Sequence, residues 1–298
     1  MSKLSELPSR KLSILELFER LIPDENVIET TIAGVRLFRV EKSFQRKPIA
    51  YRAEIIIIAH GEKRVFLGES VFVYDQSRYL VLPVPIPLEC EAICPSDGPL
   101  VGLIIKVDPK LIGELLNDLD DTKMVPEQLY KGIYTAPMNP ILNDAVYRLL
   151  TVILSQPDSK ILGPMIVREI IYRILMSENG ESLQALAYKD RKFFQIAKVL
   201  TKIHQSFHKT LSTKSLAFEA GMSVSMFHSC FKEVTDFTPL QYIKSIRLHK
   251  AREIMIQDGI STYKAALKVG YESTSQFTRE YKRMFGSSPS KDIPKIRR

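Results

Sequence analysis

From about residue 27 to residue 107 the chain alternates apolar and polar positions in short runs. The runs VRLFRV (35–40), PIAYRAEIIIIAHG (48–61), KRVFLGESVFVYD (63–75), RYLVLPVPIPLECEAIC (78–94) and PLVGLIIKVD (99–108) are rich in β-branched and aromatic residues. Gly, Pro and Asp separate them, the pattern of strands joined by turns. Strands this short and evenly spaced predict an antiparallel sandwich or a small barrel. Proline cannot donate to a sheet ladder, so Pro83, Pro85 and Pro87 belong at an edge or bend.

Helical spacing governs the rest. Residues 10–22 read as a short amphipathic helix stopped by Pro23. After Asp108, the runs KLIGELLNDL (110–119), NPILNDAVYRLLTVILSQ (139–156) and SKILGPMIVREIIYRILMSEN (159–179) repeat apolar residues every three or four positions. The last two carry enough Ile, Leu and Val to need burial on two sides, against each other and against a second copy, although packing within one chain would also satisfy them. The polar stretch ENGESLQALAYKD (178–190) reads as a linker.

From 191 onward the chain is helical and repeats itself. The stretch 217–239 matches 266–289, with Ala217, Gly221, Phe227, Phe231, Lys232 and Pro239 answering Ala266, Gly270, Phe277, Tyr281, Lys282 and Pro289. A unit of roughly 50 residues occurring twice is a duplication rather than a solenoid. Each copy reads as a helix, a Gly-centred turn and a second helix, with Ser223 or Ser225 and Ser273 as caps. In the first copy Phe227, Phe231 and Val234 face inward, leaving Val224, Ser225, His228, Ser229 and Lys232 outside. In the second, Phe277, Tyr281 and Phe285 face inward, opposite Thr274, Ser275, Thr278, Arg279 and Lys282.

Charge changes what this repeat means. The 298 residues are 45% hydrophobic and 26% charged with a net charge of +8, the profile of a folded globular protein with room for two domains. Residues 191–298 hold 20 Lys and Arg against 8 Asp and Glu, whereas residues 1–190 are net acidic. A basic third joined to a mildly acidic remainder predicts that one domain meets a polyanion. Tandem helix-turn-helix units on that basic third predict double-stranded DNA as the partner, with each second helix in the major groove. The absence of an apolar run of about 18 residues predicts no membrane span. The charged N-terminus and three cysteines (Cys90, Cys94, Cys230) predict a cytoplasmic protein without a disulfide framework.

At these residues the sequence resembles the AraC/XylS family of bacterial transcription regulators. GYESTSQFTREYKRMFGSSPSKD (270–292) is similar to that family's C-terminal signature, and SLAFEAGMSVSMFHSCFKEVTDFTPLQYIKSIRLHKARE (215–253) to its upstream unit and connecting helix. GESVFVYDQSRYLVLPVPIP and GLIIKVDPKLIGELL resemble the N-terminal domain of one subgroup, a cupin-like β-barrel followed by helices. The resemblance implies an α+β chain: a cupin-like antiparallel β-barrel over 1–108, a helical dimerisation segment over 109–180 and an all-α tandem helix-turn-helix domain over 191–298. It implies a regulator, more often an activator that meets RNA polymerase; we expect a homodimer, with the barrel acting as a small-molecule sensor, and so taking an effector, or as an interaction or dimerisation module. By matching positions, Ser225, His228 and Ser229 read bases from the first unit, and Thr274, Ser275 and Arg279 from the second. Ser229 stands where many members have arginine, so Arg279 is the stronger candidate for direct readout.

Other chemistry is thin. His204 and His208 are four apart on a helix, but no third metal ligand has a recognisable spacing, and the spacing equally describes a polar stripe. A cupin-type metal-dependent enzyme with a DNA-binding tail is the alternative, yet the barrel segment holds one histidine, His60, beside Glu69 and Asp75. We therefore expect no catalytic residues, metal or cofactor. Cys90 and Cys94 share a strand face and could sense electrophiles, although Glu89 and Glu91 oppose thiolate formation.

Overall fold

The computed structural model describes residues 12–119 and 128–296. Arg10 and Lys11, the expected start of the first helix, lie outside the described residues. That helix, α1 (Ile14–Leu21), begins with a capping box in which Ser13 and Glu16 satisfy each other's backbone amides, and it buries Leu17 and Phe18.

Among the described residues there are ten strands, all paired antiparallel. They are β1 (Asn26–Glu29), β2 (Val35–Val40), β3 (Phe44–Tyr51), β4 (Glu54–His60), β5 (Glu62–Leu67), β6 (Ser70–Tyr74), β7 (Arg78–Leu82), β8 (Ile86–Ile93), β9 (Leu100–Lys106) and β10 (Tyr134–Pro137). One sheet runs β1-β2-β9-β4-β7-β10 and the other β3-β8-β5-β6, giving the cupin-like barrel its two walls. The isoleucine run of β4 sits between β9 and β7, and Ile55 to Ile58 are all buried. Pro83 and Pro85 occupy the bend between β7 and β8, as expected, whereas Pro87 lies inside β8 opposite Ala50 of the edge strand β3, which also carries Pro48. Strands β1 and β10 are short and escape the sequence pattern.

The helical part begins with α2 (Pro109–Asp118), then α3 (Pro140–Ile153) and α4 (Gln156–Leu175), which pack on each other. Among the described residues, no helix is long and apolar enough to cross a membrane. The stretch 178–190 is not the open linker its polarity suggested. It holds α5 (Glu181–Gln184) and a 3-10 turn at Ala185–Ala187, with Leu183, Ala185 and Leu186 buried and Gln184 donating to the Leu175 carbonyl. The apolar LxALA core outweighs its polar flanks.

Seven helices follow among the described residues: α6 (Lys192–Ser206), α7 (Thr213–Glu219), α8 (Val224–Thr235), α9 (Pro239–Asp258), α10 (Thr262–Lys268), α11 (Thr274–Phe285) and α12 (Pro289–Ile296). The buried side chains of α6, α7 and α8 merge with the barrel core, whereas Leu248, Ala251, Met255 and the buried residues of α10 and α11 form a second cluster.

Candidate nucleic-acid interface

The two repeats fold as two helix-turn-helix units, α7–α8 and α10–α11, joined by α9. Gly221 and Gly270 take φ of 65° and 88° in the two turns, a conformation that a side chain disfavours. Space also matters at Gly270, where a Cβ would come within 2.5 Å of the His208 carbonyl oxygen; at Gly221 nothing lies within 4 Å. Ser223 accepts from the Met226 amide and Ser273 from the Gln276 amide, so serine caps both second helices.

Capping and packing together decide which faces point outward. Phe227, Phe231 and Val234 are buried on α8, as are Phe277 and Tyr281 on α11, with Phe285 half-buried. On α8, Ser225, His228, Ser229 and Lys232 are all exposed. On α11, Ser275, Arg279 and Lys282 are exposed, while Thr274 and Thr278 are half-buried at its base. Among the described residues Lys232, Arg279 and Lys282 have no carboxylate partner, whereas Lys244, Arg252 and Lys268 are each paired. The cations on the two exposed faces are therefore free to meet an external anion.

The second unit also has an ionic frame that sequence reasoning missed. Glu280 turns inward on α11 and accepts from Lys244 Nζ (2.8 Å), Tyr271 OH (2.7 Å) and Gln276 Nε2 (3.2 Å). Burial alone would raise its pKa, but these donors outweigh it and hold the carboxyl below the usual range. Asp292 on α12 accepts from Arg252 Nε (2.8 Å) and Tyr281 OH (2.6 Å). A signal for Glu280 existed: its counterpart in the first repeat is the buried Cys230, which marks the position as inward.

The first unit is framed by the barrel instead. The Gly132 amide donates to the Val234 carbonyl at the end of α8 (2.9 Å). Tyr242 OH on α9 donates to the Pro85 carbonyl (2.6 Å), so His204 Nε2, 2.8 Å away, must donate to the tyrosine oxygen. Burial, reinforced by Lys250 and Arg52, pushes the His204 pKa down to about 4, which keeps the ring neutral in this relay. Beside it, a cleft of about 1110 Å³ opens between the barrel and α6. Val84, Val107 and Phe194 line it together with Arg52, Lys106 and Lys198.

The remaining candidate chemistry has local explanations. His60 Nδ1 donates to the Pro99 carbonyl (2.8 Å), and His208 lies exposed beside the Phe207 ring. Among the described residues no three His, Cys, Asp or Glu groups gather as a metal site. Cys90 is fully buried, and burial raises its thiol pKa.

Comparison with known proteins agrees with this architecture. Residues 31–182, half of the chain, match the family described as AraC-type transcriptional regulator N-terminus, and residues 216–292 match a helix-turn-helix domain. The thermoregulatory protein LcrF of Yersinia pestis is 24% identical over 194 residues, covering 64% of this chain and 69% of LcrF. The virulence regulon transcriptional activator VirF of Yersinia enterocolitica matches with the same identity and coverage. The crystal structure of unsaturated fatty acid bound ToxT from Vibrio cholerae shares the fold, with a TM-score of 0.59 and 14% identity over 87% of this chain and 94% of ToxT. With both of its parts matched, the chain belongs to the AraC/XylS family of DNA-binding transcription regulators.

Proposed function

We propose that this regulator reads duplex DNA with both units, through Ser225, His228, Ser229 and Lys232 of α8 and Thr274, Ser275, Thr278, Arg279 and Lys282 of α11. The observation that carries this reading is the pair of serine-capped helices, each with buried aromatics on one side and unpaired cations on the other. Arg279 is the direct base reader, since a guanidinium can grip guanine through two hydrogen bonds. Lys232 and Lys282 meet phosphate. The transcriptional activator VirF supports activation as the outcome, with RNA polymerase as a further partner. The chain acts in the cytoplasm as a regulator and carries out no catalytic step. Its working division is a regulatory barrel over 1–108, a dimerising helical segment over 109–180 and a DNA-binding domain over 191–298.

A homodimer forms through α4 and its C-cap, where Ile161, Met165, Tyr172 and the capping Met176 make an exposed apolar stripe. The effector is an amphipathic anion held in the cleft between barrel and α6. Three cations without carboxylate partners among the described residues, Arg52, Lys106 and Lys198, sit there beside apolar walls. The fatty acid bound to ToxT is a ligand of this chemical class. Selection of binding sites from random duplexes with the full chain tests the reading. Two half-sites about one helical turn apart are expected, and recovery of a single half-site would remove one of the two reading helices.

A further inference from the structure

Arg247 lies on α9 between the two reading units and has no carboxylate partner among the described residues. Its guanidinium donates instead to three backbone carbonyls. Nε reaches Phe207 O (2.8 Å), Nη2 reaches Lys209 O (2.9 Å) and Nη1 reaches Gly270 O (2.9 Å). Phe207 and Lys209 belong to the connection between α6 and α7, the entry to the first unit. Gly270 is the turn of the second. The two backbones meet directly here, because the space a Cβ would need at Gly270 is taken by the His208 carbonyl.

Two other cations on α9 also reach the second unit, Lys244 through Glu280 and Arg252 through Asp292. Both work inside that unit. Arg247 alone among these three touches the entry of the first and the turn of the second at once. A planar fork with several fixed donors suits this task, whereas an ammonium on a flexible stem cannot hold three carbonyls in fixed directions.

We infer that Arg247 is a positioning residue that fixes the angle and separation of α8 and α11, and so sets the spacing between the two half-sites the protein accepts. The inference rests on the two-helix reading proposed above. Inserting one base pair moves the second half-site by about 3.4 Å and turns it by about 35° around the duplex. A rigid pair of readers cannot follow that move; a loosened pair can, at the cost of a lower effective concentration for the second contact.

The test uses the full chain, a duplex recovered by site selection, and the same duplex with one base pair inserted between half-sites. For the parent, the insertion should weaken binding by about 100-fold, and for Arg247→Ala by about tenfold or less, with about tenfold weaker binding at the original spacing. Arg247→Lys, which keeps the charge, should resemble Arg247→Ala in this ratio and provides the reading if the alanine variant fails to fold. Loss of stability lowers binding to both duplexes equally and leaves the ratio unchanged. An unchanged ratio in the folded variants overturns the inference while leaving two-unit reading intact. A selection that recovers only one half-site removes both.

Discussion

Lys244 and Glu280, 36 positions apart, meet at 2.8 Å on the inward side of α11. The pair ties the helix that carries Arg279 to the connecting helix α9. Glu280→Ala should leave Lys244 and the Tyr271 hydroxyl without their acceptor and cost about 1–3 kcal/mol. Urea unfolding of the variant measures the loss. Specific DNA binding should fall with it, although Glu280 itself faces away from the exposed side. Its depressed pKa gives stability that is present at neutral pH and lost as pH falls through its folded value, below the usual carboxylate range.

Arg279 and Lys282 sit on the same exposed face but should fail differently. Arg279→Ala should weaken specific binding by about 1–3 kcal/mol and relax preference at one base pair. Lys282→Ala should weaken binding to all sequences alike and reduce the salt slope by about 1. Competition against single-base variants of a selected site, repeated at several salt concentrations, separates the two. Equal loss on all sequences for Arg279→Ala would make it a phosphate contact.

The apolar stripe on α4 predicts an oligomeric state. Ile161 is 69% exposed and Met165 64% exposed. Three nearby arginines are satisfied within the chain: Arg168 pairs with Asp118, and Arg148 and Arg173 with Glu169. Met165→Glu should therefore convert a dimer to a monomer without loss of thermal stability in the monomer fold. Sedimentation at micromolar concentration checks this, and a parent that is already monomeric would refute the dimer.

Acid should weaken the fold through His249. Its Nε2 is buried without a partner among the described residues, and burial, aided by Arg252 and Lys250, pushes its pKa down to about 3. An unfolded histidine titrates near ~6.5. Between those two values the unfolded chain takes up a proton that the folded chain refuses, so stability falls as pH falls. His249→Phe should flatten this part of the pH profile and cost little at neutral pH, since the ring already lies edge-on to Phe285. Thermal melts of both proteins from pH 7 to 4 provide the comparison.

Where a residue's environment is set by its own repeat, the sequence disclosed it. Gly221 and Gly270, the two serine caps and the buried aromatics all follow from local spacing, and the long runs around Ile55 and Leu103 announce central strands. The four-residue strands β1 and β10 carry too few side chains to show a period. The stretch 178–190 misled because Glu178, Glu181 and Lys189 surround a small buried core at Leu183 and Leu186. The pairings Lys244–Glu280, Arg252–Asp292 and Arg247 with three carbonyls join segments that only the folded chain brings together. Spacing along the chain holds no record of them.

The division of buried side chains into two clusters separates two kinds of change during descent. The second unit packs Ala265, Ala266, Val269, Phe277 and Tyr281 against Leu248, Ala251 and Met255, with none of the barrel's buried residues in that cluster. Exchanging residues 262–296 between relatives would therefore have to preserve the matching side of α9, the 207–209 connection that meets Gly270 and the β3 edge that α11 touches. The first unit shares its interior with the barrel and borders the cleft beside α6. Its buried residues must change together with those of the barrel. The second unit has an interior of its own; the first shares one with the barrel.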